Sequence, residues 1–142
     1  MAIVGFNFDK ILVERKKPLK GELKVKNNLD IKSIKEEEMD LGLKQKIIRF
    51  EFEFNSKYEP GIADIEILGH ILYADSEDKV KKILDDWKKK KDIEIQLKTR
   101  LINIALAKSN IKALTLTQDV NLPPHIKLPV VAPKMDKSNY IG

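Results

Sequence analysis

The chain has 142 residues, 42% of them hydrophobic and 35% charged, with a formal net charge of +5 and no cysteine. That length and apolar content point to one domain with a real core. The absence of cysteine excludes a disulfide framework and a thiolate zinc centre, and no run reaches the roughly 18 apolar residues of a membrane-spanning helix. The N-terminus MAIVGFNFDK lacks the basic-then-apolar order of a secretory signal. The expectation is a soluble, cytoplasmic protein with no membrane insertion, a single domain over 1–135 and a disordered tail over 136–142.

In chain order, Val4, Phe6 and Phe8 alternate, and Ile11 and Val13 alternate on the other parity. A β-bulge at Asp9-Lys10 keeps both sets on one face. After Pro18 and Gly21, Leu23, Val25, Leu29 and Ile31 mark a second strand, with Asn27-Asn28 as the expected irregularity. The run Lys35 to Glu38 reads as a solvated strand end or turn, and Gly42 closes the connection. The stretch KIIRFEFEFNSKYEPGIADIEILGHILY follows. Ile48, Phe50, Phe52 and Phe54 alternate with polar residues, Pro60-Gly61 supplies the turn, and Ala63, Ile65 and Ile67 alternate on the return strand. This is a long antiparallel hairpin with one apolar face.

After Tyr73 the period changes to that of a helix. Asp75 or Ser76 is the expected cap, and Val80, Ile83, Leu84 and Trp87 form the apolar stripe. Asp92 is the expected cap of a second, longer helix. Its apolar residues fall on two sides: Ile93, Leu97, Leu101, Ile104 and Ile111 on one, Ile95, Ile102, Leu106 and Ala113 on the other. A doubly apolar helix is sandwiched between layers, so Ile95, Ile102 and Leu106 are the candidate subunit interface. The alternative cover for the second side is the first helix or the C-terminal segment. That segment, NLPPHIKLPVVAPKM, carries four prolines and so reads as extended chain packed on the body. The expected fold class is α+β: antiparallel strands near 3–14, 20–34, 44–57 and 61–74, packed against helices near 76–91 and 93–117.

The residues of catalysis are missing. His70 and His125 lie on different elements without metal-ligand spacing, and Asp64 and Glu66 read as one exposed strand face. There is no nucleophile elbow, P-loop or dinucleotide fingerprint. The strand RFEFEF lacks the glycines of an RNA-binding aromatic strand, and its glutamates would repel phosphate. No enzymatic activity and no cofactor are expected.

Four strands, two helices and a Pro-rich apolar coda, in that order, resemble the SecB export-chaperone family. Ile3, Phe6, Ile11, Val13 and Glu14 fit that family's first strand; Ile65-Glu66-Ile67 with Ile71-Leu72 fit its fourth; Leu122-Pro123, Ile126, Leu128 and Pro129-Val130 fit its coda. The resemblance is closest to divergent members outside the typical export system. It implies a Greek-key-like sheet and a homotetramer, a dimer of dimers joined through first strands and long helices. It also implies an ATP-independent holdase that keeps unfolded or preprotein polypeptides in apolar grooves, with Ala63, Ile65 and Ile67 lining them. Strand parity adds Phe50 and Phe52. Glu14 and Glu66 match two acidic positions through which the family docks the SecA motor, but Lys10 stands at the third, which disfavours that docking. The alternatives are a basic nucleic-acid-binding module, which the glutamate-rich strands disfavour, and a dedicated chaperone for one partner such as an antitoxin.

Overall fold

The computed structural model describes residues 2–38 and 45–133. Four strands, β1 (Ala2–Arg15), β2 (Lys24–Glu37), β3 (Gln45–Glu59) and β4 (Ala63–Ser76), precede two helices, α1 (Glu77–Lys90) and α2 (Ile95–Asp119). The sheet is antiparallel throughout in the order β1-β4-β3-β2. This is a Greek key: β2, β3 and β4 are consecutive neighbours, and β1 returns to lie beside β4. The expected α+β class with a four-stranded antiparallel sheet and two C-terminal helices is what forms. Gly42 and the expected tail over 136–142 lie outside the described residues.

The crossover from β1 to β2 is anchored where it passes the β3–β4 turn. The backbone N–H groups of Lys16 and Lys17 donate to the Ile62 carbonyl at 2.7 and 3.2 Å. That turn carries Gly61 at φ +60, a conformation glycine adopts without strain.

Period two sets the faces. The inner face of the hairpin carries Ile48, Phe50, Phe52, Phe54 and Tyr58 from β3 opposite Tyr73, Ile71, Gly69, Ile67 and Ala63 from β4. The outer face alternates charges that pair across strands, including Lys16 with Asp64 at 2.6 Å and Lys35 with Glu51 at 3.0 Å. The expected bulge in β1 is present, between Phe8 and Lys10, with a second between Ile3 and Gly5. The irregularity expected at Asn27-Asn28 is not there: both residues pair in register, with Ser56 and Asn55. The slip falls between Ile31 and Ser33. Leu29, Ile31 and Ile34 all take inner-face partners, and that sequence cannot keep strict alternation without an extra residue.

Gly69 has no counterpart in the sequence reading. A Cβ there would sit 2.5 Å from the Phe52 ring and 2.6 Å from the Asn7 carbonyl oxygen. The Phe52 ring occupies the space that a side chain on β4 would fill.

The helices cover the inner face in two blocks. Val80 of α1, Ile93, and Leu101 and Ala105 of α2 close over Ile48, Phe50, Ile71 and Tyr73. Ala113, Leu116 and Leu122 close over Phe54, Tyr58, Ile65 and Ile67. Ser76, one of the two expected caps, is the N-cap residue of α1, and the cap expected for α2 is corrected. The N-cap residue Ser76 makes no side-chain cap bond; instead Asp75 accepts from the Ser76 N–H at 2.8 Å. α2 is capped by Glu94, which accepts from Gln96 and Leu97 at 3.3 Å, while Asp92 accepts from the Ile93 N–H and from Lys98. The helix starts late because Ile93 is drawn into the core ahead of it.

Candidate functional site

α2 packs on the inner face of the sheet and separates a β1 flank from a β2 flank. Its buried residues are Leu101, Ala105, Ser109, Ala113, Leu116 and Thr117. Steps of four residues advance about 40° around the axis, so this line winds across the helix and fits a diagonal crossing of the sheet. Two sequence assignments change as a result. Ala113, placed on the outer stripe, is buried, and Ile111, placed on the inner one, is 69% exposed. The N-terminal end of α2 lies beside Tyr73 and its C-terminal end beside Arg15. Arg15 donates to the carbonyls of Val120 and Asn121, both at 3.1 Å, a cation on the helix's negative end.

On one side of α2 lies edge strand β1. Phe6, Phe8 and Val13 turn inward and remain half-buried, and Ile11, on the same face opposite Ile67, is 41% exposed. The Lys108 ammonium sits over the Phe6 ring, 5.1 Å from its centroid. Ile111 follows Lys108 by three residues and so shares that side of the helix. This flank is an open apolar shelf, bordered by β1, the edge strand of the sheet among the described residues.

On the other side of α2 lies β2, and there the C-terminal segment fills the gap. Asn121, at φ +53, reverses the chain, and the Leu122 N–H donates to the Thr117 carbonyl at 2.8 Å. Leu122 and His125 are buried and Ile126 is half-buried. Beside Ile126 a cavity of about 220 Å³ extends among Leu29, Phe54, Ile102 and Leu106. His125 donates from Nε2 to Asn110 Oδ1 at 2.9 Å and stands edge-on to Phe54. Its Nδ1 is buried without a hydrogen-bond partner among the described residues. Burial pushes the imidazole pKa below its ordinary value.

A third feature, a cavity of about 470 Å³, opens between α1 and the start of α2, with Tyr73, Asp75, Lys79 and Arg100 in its wall. The Tyr73 hydroxyl donates to Asp75 at 2.9 Å, and burial, reinforced by that bond, pushes its pKa up to about 12. Burial raises the Asp75 carboxyl, but the Ser76 N–H and the Tyr73 hydroxyl outweigh it and hold it below the usual carboxylate value. A neutral donor beside a fixed anion can hold a polar group, and neither residue is an activated nucleophile.

The sequence-predicted site residues divide by location. Ala63, Ile65, Ile67, Phe50 and Phe52 are all buried in the protomer, with Ile65 and Ile67 at 0% exposure. The expectation that they form a wall open in the free chain is corrected: the helices close over them, stabilising the fold by about 1.5–3 kcal/mol for each large side chain. The accessible apolar residues are their neighbours on β1, which the first strand's alternation already displayed. In the interface set, Ile95 is 70% exposed, whereas Ile102 and Leu106 are half-buried over the cavity that the C-terminal segment also lines. Lys10, Glu14 and Glu66 do share the outer face, and Lys10 pairs with Glu66 at 3.1 Å.

No protein-family profile matches the chain, and neither does any curated protein. Among solved structures it is similar to a SecB-like chaperone of Mycobacterium tuberculosis, determined in complex with a ChAD peptide from the HigA1 antitoxin. The likeness covers 94% of this chain and 92% of that one, with a TM-score of 0.52 at 10% sequence identity. The architecture built above from periodicity and burial is therefore a SecB-like fold.

Proposed function

We propose that this chain is an ATP-independent holdase of the SecB-like kind, which binds unfolded polypeptide on the shelf between β1 and α2. One observation carries the reading: the inner face of the sheet is closed over β3 and β4 but left partly open at its β1 edge, where Phe6, Phe8, Ile11 and Val13 remain accessible. An extended apolar segment gains about 25 cal/mol for each Å² of apolar surface it buries there, before ordering costs. The likeness to a SecB-like chaperone solved with a peptide supports the same reading.

The protein works in the cytoplasm, without catalysis or cofactor, as a homotetramer whose copies join through the β1 edge and the Ile95 side of α2. SecA docking is disfavoured, because Lys10 neutralises Glu66 on the outer face. A narrower reading, a chaperone dedicated to one partner, is favoured by the antitoxin peptide on the similar structure.

The test dilutes a chemically denatured client into buffer with the chain present and no nucleotide, and follows light scattering at low and high salt. Suppression that persists at high salt is expected. Failure to suppress aggregation in either buffer removes the holdase reading. Steep loss of binding with salt, together with binding of RNA, would put the nucleic-acid alternative in its place.

A further inference from the structure

The C-terminal segment is held in a way that defines a ligand. Residues 123–133 make no backbone–backbone hydrogen bond to the sheet among the described residues. Pro123, Pro124 and Pro129 have no N–H to offer, so this segment cannot join the sheet as a regular fifth strand. Two side chains take the place of the missing ladder. The Tyr58 hydroxyl donates to the Pro123 carbonyl, and Asn27 Nδ2 donates to the His125 carbonyl at 2.9 Å. The two carbonyls are two residues apart, on either side of Pro124, where the chain runs up to its bend at His125 and Ile126. The two donors stand on neighbouring strands, where Tyr58 pairs with Val25 and Asn27 with Ser56. Ser56 donates to Asn27 Oδ1, which fixes the amide with Nδ2 toward the segment.

We propose that the β2 flank of α2 is a second polypeptide site, built to take a proline-containing apolar segment that bends after the prolines, with residues 122–126 of the same chain as its resident ligand. Asn27 and Tyr58 read alternate main-chain carbonyls, which every sequence offers. The apolar selection comes from the Leu122 position and from the cavity beside Ile126, whose remaining volume of about 220 Å³ admits a larger side chain than isoleucine. Proline is tolerated because no ligand N–H is used. A foreign segment of this kind enters only when the resident one leaves. The site does not depend on the holdase reading, since its ligand is on the page.

The test uses the full-length chain and a fluorescein-labelled synthetic peptide of the sequence LPPHIKLPVV. Ile126→Ser weakens the resident segment and leaves the groove intact, so the peptide should bind this variant about tenfold more tightly than it binds the unmodified chain. Adding Asn27→Asp keeps the acceptor for Ser56, removes the carbonyl donor, and should reverse most of that gain. Ile126→Ala, a milder change, should give the same order should the serine variant melt early. Binding to neither variant, equal binding to variant and unmodified chain, or indifference to Asn27→Asp each overturns the proposal. A fall in molecular mass when peptide is added would place the resident segment in a second copy and overturn the assignment within one chain. Unfolded-client binding measured on the same proteins is a separate result: its loss removes the holdase reading and leaves this site standing.

Discussion

The two flanks of α2 begin with similar material and end differently. Toward β2, Leu29 and Ile31 lie half-buried beside Phe54 and Phe52 respectively, and the chain's own C-terminal segment closes over that side with Leu122, His125 and Ile126. Toward β1, Phe6, Phe8 and Val13 are half-buried and Ile11 is exposed, and the Lys108 ammonium sits over the Phe6 ring. Apolar alternation assigns a residue to a face. Whether that face is core or binding surface is decided by where the rest of the chain runs. A shelf left uncovered keeps its affinity for other chains, and a covered one contributes the same burial to its own fold.

The sharpest way to break this comparison is to place a charge at two positions that face each other across β1 and β4. Ile67 pairs with Ile11, one fully buried and the other 41% exposed. Ile67→Asp buries a carboxylate with no partner and is expected to cost more than about 4 kcal/mol, seen as a collapse of the melting temperature. Ile11→Asp should shift stability by about 0.5 kcal/mol or less while removing aggregation suppression. Equal loss of stability in both variants would make the β1 flank ordinary core.

Gly69 tests the covered side through its packing. Gly69→Ala forces a methyl group against the Phe52 ring and the Asn7 carbonyl oxygen, and overpacking of this kind costs about 1–3 kcal/mol in chemical denaturation. The pair Gly69→Ala with Phe52→Leu should recover part of the loss, since the smaller side chain vacates the space.

Much of this was legible in the sequence, and the failures share a cause. The strands, their faces, the β1 bulge, the two helices and the packed Pro-rich coda follow from periodicity and turn chemistry at Pro60-Gly61, Asn121 to Pro133 and elsewhere. What periodicity lacks is the third dimension. Ile67 and Ile11 have the same parity pattern, and nothing in the sequence says that α2 lies over one and beside the other. Ile111 and Ala113 exchanged sides because the helix crosses the sheet diagonally. The Asn27 and Tyr58 donors were invisible, because a side chain that binds a distant carbonyl leaves no spacing signal. A polar residue amid an apolar strand face, such as Asn27 or Ser56, is the one available hint.

Smaller effects sharpen the picture at the ends of the flanks. Arg15→Ala removes both bonds to the Val120 and Asn121 carbonyls just past α2 and should cost about 1 kcal/mol, read by denaturant titration. The β2 flank should also respond to acid. The folded pKa of His125 is depressed below the ordinary 6.5 by burial, so the unfolded chain binds the proton more readily. The stabilisation is fully present above pH 6.5 and is lost as pH falls below it toward the folded value. Amide exchange in residues 122–128 should rise over that range, while exchange in β1 stays unchanged. His125→Gln should flatten the dependence.

The central claim, that unfolded polypeptide is held on the β1 flank, is tested most directly by photo-crosslinking. A photoreactive residue is placed at Ile11 in one protein and at Ile126 in another, each is mixed with a denatured client without nucleotide, and the adducts are mapped. The account predicts abundant client adducts from position 11, while position 126 reacts mainly with its own chain. Client adducts from position 126 with none from position 11 would contradict it.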